Sequence, residues 1–99
     1  MTIEKKLEAG CLTLAVSGRL ETATAPQLDA EVKSIAPEVK NLRIEMANME
    51  YVSSAGLRVL LTAQKTMNAR QGRMELADVN DTVKHVFDIT GFSPVLTFV

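Results

Sequence analysis

The strongest constraint on this chain is a repeated change between two hydrophobic periods along its 99 residues. Runs in which apolar and polar residues alternate are typical of half-buried strands, and stripes with apolar residues three and four apart are typical of amphipathic helices. The two patterns predict the order β-β-α-β-α-β-α-β. Because strands that alternate with helices are joined by right-handed crossovers, this order predicts an α/β fold with a mixed, largely parallel sheet and helices packed on it.

The first two strands are predicted to form an antiparallel hairpin. Residues 2–7 and 11–17 alternate in character, and Ala9-Gly10 between them is a typical turn. Residues 11–17 are also fairly apolar on both faces, as in strands of a sheet that is covered on both sides. We therefore expect the second strand to lie in the interior of a covered sheet.

Cap and turn residues delimit the later elements. The first helix is predicted to begin near Thr24 and Pro26 and to end at Pro37. The remaining predictions are a strand over residues 42–46, a connection over residues 47–52, a second helix from Ser53-Ser54 to about Arg70, a strand at Met74 and Leu76, a third helix from Asn80 or Asp81 to Gly91, and a closing strand or extended tail over residues 95–99.

Composition excludes several classes of function. Eleven Lys and Arg against twelve Asp and Glu give a net charge of −1, which provides no overall attraction to nucleic acid or anionic lipid. A single Cys and a single His exclude an internal disulfide and a zinc or multi-histidine site. No run approaches the ~18–20 apolar residues of a membrane span. We expect one cytoplasmic domain over residues 1–99 with no metal, no cofactor, no direct binding of nucleic acid and no membrane insertion.

One segment, residues 51–61, is the candidate functional site, because it places Ser53-Ser54-Ala55-Gly56 at the start of the second helix. A serine at this position is commonly an N-cap, but a cap does not account for two serines followed by two small residues. Small residues would also allow another molecule to approach the helix end closely. The segment can therefore be interpreted either as a helix cap or as a recognition surface. The segment does not match the Gly-x-Ser-x-Gly of hydrolases, and His85 is the one available histidine base, so no catalytic site is expected.

The same segment resembles the signature of STAS domains, which occur in bacterial anti-sigma factor antagonists. Those domains typically carry Asp-Ser-Ser-Gly-Leu after the third strand. Alignment on Gly56 and the leucine that follows it places Ser54 on the serine that the family phosphorylates. Ser53 then stands where the family often has Asp, Ala55 where it often has a second Ser, and Arg58 where it frequently has a small residue.

Two further segments extend the resemblance. Residues 18–26, Gly-Arg-Leu-Glu-Thr-Ala-Thr-Ala-Pro, are similar to the family's Gly-x-Leu-Asp loop before the first helix. Residues 42–46, Leu-Arg-Ile-Glu-Met, are similar to its Leu-x-Leu-Asp-Leu strand. In both segments Glu replaces Asp. The resemblance covers the chain in order and implies a STAS-like fold with the element order predicted above.

The resemblance implies a protein-binding switch. The unphosphorylated form is expected to bind an anti-sigma factor with serine kinase activity and so to release a sigma factor for transcription. That kinase would phosphorylate Ser54 with its own ATP, and a metal-dependent serine phosphatase would reverse the step. The expected partner-binding residues are Arg19, Glu21, Thr22, Thr24, Ser53, Ser54, Ala55, Gly56 and Arg58. The alternative is a STAS regulatory subunit of a transporter ATPase complex, which is not phosphorylated.

Overall fold

The computed structural model describes residues 1–99 and contains four strands and three helices in the predicted order. The strands are β1 (Thr2–Glu8), β2 (Cys11–Leu20), β3 (Asn41–Val52) and β4 (Arg73–Ala77). The helices are α1 (Ala25–Lys33), α2 (Ser54–Ala69) and α3 (Asp81–Ile89), and a 3-10 turn follows at Ser93–Val95.

The sheet is mixed and has the strand order β1-β2-β3-β4. β1 pairs antiparallel to β2 across the tight turn at Ala9 and Gly10, both of which have positive φ. β2 pairs parallel to β3, and β3 pairs parallel to β4. The predicted hairpin and the predicted parallel arrangement are confirmed, because α1 and α2 carry the chain back between successive parallel strands.

The three helices cover one face of the sheet. Alternate strand residues such as Leu14, Ile44 and Leu76 are fully buried and form one cluster with the inward side chains of all three helices. The strand residues between them, including Thr13 and Arg43, are only partly buried. β2 lies in the interior of the sheet as predicted, but the sheet is covered by helices on one face only. The small and apolar residues on the second face of β2 are therefore part of an open surface, which also carries charged side chains such as Arg43, and no second layer of helices covers them.

The connection predicted for residues 47–52 is also wrong, because β3 continues through it to Val52. β2 likewise continues beyond residue 17, where the alternation of the sequence stops, and ends at Leu20. The pairing of the two strands shifts register between Ala15 and Ser17 and again after Gly18, which has positive φ. The hydrogen-bonded pairing of β2 with β3 continues on both sides of each shift. At the shifts, however, the alternation of apolar and polar residues that is used to predict strands is interrupted.

The predicted closing strand is reduced to a single bridge. After the 3-10 turn, Phe98 pairs parallel with Leu76 of β4. Leu76 N–H donates to the carbonyl of Thr97, and Val99 N–H donates back to the carbonyl of Leu76, at 2.8 and 2.9 Å. The segment is thus an extended tail that partly covers the β4 edge of the sheet, which is the second of the two forms expected from the sequence.

Candidate functional site

The candidate residues meet at the carboxyl ends of β2 and β3. These strands are parallel neighbours, and Leu20 is paired with Val52 at their ends. One residue later, Ser53 N–H donates a 2.8 Å hydrogen bond to the carbonyl of Leu20. The loop formed by residues 19–24, called the 19–24 loop below, therefore lies directly beside the start of α2.

The two serines at the start of α2 have different environments. Ser53 is the N-cap residue, and its hydroxyl oxygen accepts a 3.4 Å hydrogen bond from Gly56 N–H. Ser54 is the first residue of the helix and is exposed. Its hydroxyl forms no hydrogen bond with any other group of the chain, whereas the hydroxyl of Ser53 is held by the cap. The structure therefore assigns the cap to Ser53 and leaves Ser54 available to solvent.

The packing of the fold explains why residue 56 is glycine. Gly56 is buried, and an added Cβ would lie 2.6 Å from Leu20 Cγ and 2.9 Å from the Leu20 carbonyl oxygen. Contacts that short do not occur in folded proteins, so only glycine permits this approach of α2 to β2. The interpretation that small residues keep the helix end open to another molecule is wrong for Gly56. Ala55, by contrast, is half-buried and reaches the surface.

The 19–24 loop is held by its own side chains. The hydroxyl of Thr24 donates to the carbonyl of Arg19 at 2.6 Å and accepts from Glu21 N–H at 2.9 Å. Thr24 occupies the N-cap position of α1, yet its side chain makes no hydrogen bond to the helix. Arg19 Nε lies 2.8 Å from Glu21 Oε2, and Thr22 is exposed between them and Thr24. The loop is therefore ordered independently of any partner.

Tyr51 begins the candidate segment, but the sequence assigned no role in the site to it. Its ring lies under the guanidinium of Arg19, with 4.6 Å between Arg19 Cζ and the ring centroid. The tyrosine is 38% exposed, and cation–π contacts of this kind stabilise the position of an arginine. Residues 47–52 belong to β3 and not to a connection, and this strand pairing is what brings Arg19 opposite Tyr51.

Arg58 extends the site along α2. It is exposed and lines a shallow groove between α1 and α2 together with Asp29, Lys33 and Thr62. Lys33 Nζ lies 2.7 Å from Asp29 Oδ2, so these two charges neutralise each other. Arg58 itself forms no ion pair with the chain.

The Ser54 hydroxyl is exposed, and no neighbouring group is placed to activate it as a nucleophile. No histidine, carboxylate or amine is hydrogen-bonded to Ser54, and His85 is exposed on α3. The carboxyl group whose pKa is clearly lowered is Asp88, near the end of α3, where hydrogen bonds from Lys84 and Ser93 favour its charged form. No cluster of three His, Cys, Asp or Glu side chains is placed to hold a metal ion. No helix has the length and apolar character needed to cross a membrane.

Comparison with known proteins connects this chain to a family. The family model of the STAS domain matches residues 2–99. The chain belongs to the STAS domain family. The BtrV protein of Bordetella bronchiseptica, provisionally named an anti-sigma factor antagonist, is 33% identical over 84 residues, which cover 84% of this chain and 72% of that protein. The anti-sigma-B factor antagonist of Listeria monocytogenes is 29% identical over 94 residues, covering 93% of this STAS domain and 82% of the relative.

A solved structure shows the same fold. The anti-sigma factor antagonist SpoIIAA in its unphosphorylated form matches this STAS domain with a TM-score of 0.84 at 19% sequence identity. The match covers 99% of this chain and 88% of SpoIIAA. At that identity the likeness concerns the fold alone. It agrees with the mixed sheet and the helix order described above.

Proposed function

We propose that this STAS domain is an anti-sigma factor antagonist controlled by phosphorylation of Ser54. In the unphosphorylated form it binds, in the cytoplasm, an anti-sigma factor that is also a serine kinase, and the bound sigma factor is released. The names of its relatives support the class of protein. One observation supports the residue: Ser54 is exposed with an unbonded hydroxyl, while its neighbour Ser53 is engaged in the helix cap.

The chain acts as the substrate of the phosphorylation and supplies no cofactor of its own. The Ser54 oxygen forms a bond to the γ-phosphorus of the kinase's ATP as the bond from that phosphorus to the β,γ-bridging oxygen breaks. ADP leaves, and the hydroxyl proton passes to a base of the kinase. A serine phosphatase restores the hydroxyl by hydrolysis of the phosphate ester.

The added charge is tolerated by the free domain and disfavoured in the complex. A phosphate carries about −1.5 to −2 charges, and helix N-terminal N–H groups and the helix dipole stabilise an anion there. In a complex the same charge would be taken out of water close to Glu21 of the 19–24 loop. A loss of about 4 kcal/mol in binding free energy would lower the affinity roughly a thousandfold.

The transporter alternative stays a prediction, because no contact in the structure favours it over the antagonist. It differs in one measurable respect, since it requires no phosphate on Ser54. Incubation with a kinase encoded beside this gene would add the mass of one phosphate only if the antagonist proposal holds. An adjacent sigma factor gene would favour the antagonist, and an adjacent transporter gene would favour the alternative.

The residue assignment is tested with two matched variants, Ser54→Ala and Ser53→Asp. Ser54→Ala is expected to abolish phosphate incorporation and to keep partner binding. Ser53→Asp removes the other hydroxyl but retains a good N-cap, so it is expected to accept phosphate as the wild type does. Phosphopeptide mass spectrometry locates the modification. Phosphate on Ser53, or retained incorporation in Ser54→Ala, would contradict the assignment.

A further inference from the structure

The surface around Ser54 contains one basic side chain without an acidic partner. The other basic side chains of the site and of the adjoining groove are already paired, Arg19 with Glu21 at 2.8 Å and Lys33 with Asp29 at 2.7 Å. Arg58 is exposed and pairs with no acidic group of the chain. A surface arginine without a partner is available to whatever anion comes within its reach.

Helix geometry places Arg58 within reach of Ser54. The two residues are four apart in α2, a spacing at which Cβ atoms lie about 5–6 Å from each other. Long side chains in helices point back toward the N-terminus and over the preceding turn. For Arg58 the preceding turn is the one that begins with Ser54. An anion on the N-terminal residue of such a pair and a cation four residues later is also the more favourable orientation.

We infer that Arg58 is the intramolecular counter-charge of phosphorylated Ser54, so that phosphate and guanidinium pair along the first turn of α2. This inference deepens the proposed function and depends on Ser54 being the modified residue. The planar guanidinium donates two parallel hydrogen bonds to phosphate oxygens, which an ammonium group cannot reproduce. Phosphorylation would then change the surface twice, by adding negative charge and by occupying an exposed cation that a partner's carboxylate could otherwise bind.

The second ionisation of the phosphate is a direct measure of this pairing. An adjacent cation favours the dianion and therefore lowers the second pKa, which is about 6 for an unperturbed phosphoserine. Protein with phosphoserine incorporated at position 54 during translation is titrated by phosphorus NMR at low salt. Because this protein is made without a kinase, failure of the kinase to recognise the domain and failure of the pairing give different results.

Three variants of the phosphorylated protein decide the question. In Arg58→Gln the second pKa is expected to be higher than in the wild type by a few tenths of a unit, the shift that an exposed helical ion pair of about 0.3–0.5 kcal/mol produces. Arg58→Lys should restore only part of the difference. Lys65→Gln is the matched control, because Lys65 is exposed and unpaired on the same helix but lies about 16 Å from Ser54 along the helix axis.

The control should leave the second pKa unchanged. Equal values in the wild type and Arg58→Gln would overturn the inference, as would an equal shift in Lys65→Gln, which would indicate general electrostatics instead of a pair. The Arg58 Nε–H resonance gives a second measurement on the intact protein. It is expected to move downfield on phosphorylation, and an unchanged resonance would also contradict the pairing.

Discussion

At the scale of single residues, Ser53, Ser54 and Gly56 at the start of α2 differ in what the fold requires of them. Ser53 satisfies a free N–H of the helix start, as N-cap residues do, and Gly56 permits contact with Leu20. Ser54 has neither role, since it is exposed and unbonded. The residue that the fold does not require is therefore the one that is free to be modified.

The structural role of Gly56 is tested by Gly56→Ala. Alanine is favoured over glycine within helices by about 0.5–1 kcal/mol, so a change governed by helix propensity would stabilise the domain. The new Cβ would instead lie 2.6 Å from Leu20 Cγ. We expect a net loss of about 1–3 kcal/mol in the free energy of unfolding, as for other overpacked core positions. Urea denaturation provides the measurement.

Ser54→Ala is the control for this prediction, because it introduces alanine two residues earlier at an exposed position. It should change stability by no more than about 0.5 kcal/mol. Equal stability of Gly56→Ala and the wild type would show that α2 can move away from β2 at little cost.

At the scale of elements, the candidate site depends on two parallel strands that end side by side. The 19–24 loop follows β2, and α2 follows β3, so both emerge at one edge of the sheet. The Thr24 hydroxyl at the end of the loop is hydrogen-bonded to the backbone of Arg19 and Glu21 at its start, and the Arg19 guanidinium lies over the ring of Tyr51 in β3. Together with the hydrogen bond from Ser53 N–H to the Leu20 carbonyl, these contacts place the loop and the helix start on one continuous surface.

The participation of the loop in partner binding is tested by Glu21→Lys. The Arg19–Glu21 pair is exposed, and such pairs contribute about 0–1 kcal/mol, so the melting temperature should fall only slightly. Affinity for the anti-sigma factor should fall clearly, because the charge is reversed within the proposed interface. Glu38→Lys makes the same charge change at an exposed residue just before the amino end of β3, away from the carboxyl ends where the site lies, and should bind normally. Equal affinities of the two variants in calorimetry would remove the loop from the interface.

At the scale of the whole molecule, one buried cluster joins the sheet face and all three helices. The inward side of α2, including Leu57, Leu60 and Met67, is part of that cluster. Because most helix stability in proteins derives from such a packed face, a charge on the exposed first turn should not displace the helix. Phosphorylation of Ser54 is therefore expected to act as a change of surface charge on a rigid domain.

Amide chemical shifts test this expectation across the chain. Spectra of the unphosphorylated and phosphorylated domains should differ near Ser54, in the 19–24 loop and in the turn that contains Arg58. Resonances of α3 should be unchanged, since its buried residues Val83 and Phe87 belong to the undisturbed core. Differences spread through α3 would indicate a conformational switch instead.

The sequence by itself determined the order of elements, the opening hairpin, the helix starts at Ser53-Ser54 and at Asn80 or Asp81, and the resemblance to STAS domains. These features follow from residues close together in the chain, whose periodicity and backbone preferences act locally. The continuation of β3 to Val52, the uncovered face of the sheet and the contact of Arg19 with Tyr51 were decided only by the tertiary structure. The need for glycine at position 56 belongs with them, because it arises where α2 meets Leu20, 36 positions earlier in the chain. Contacts between residues so far apart depend on how the strands are paired and the helices packed. Local sequence patterns therefore do not predict them.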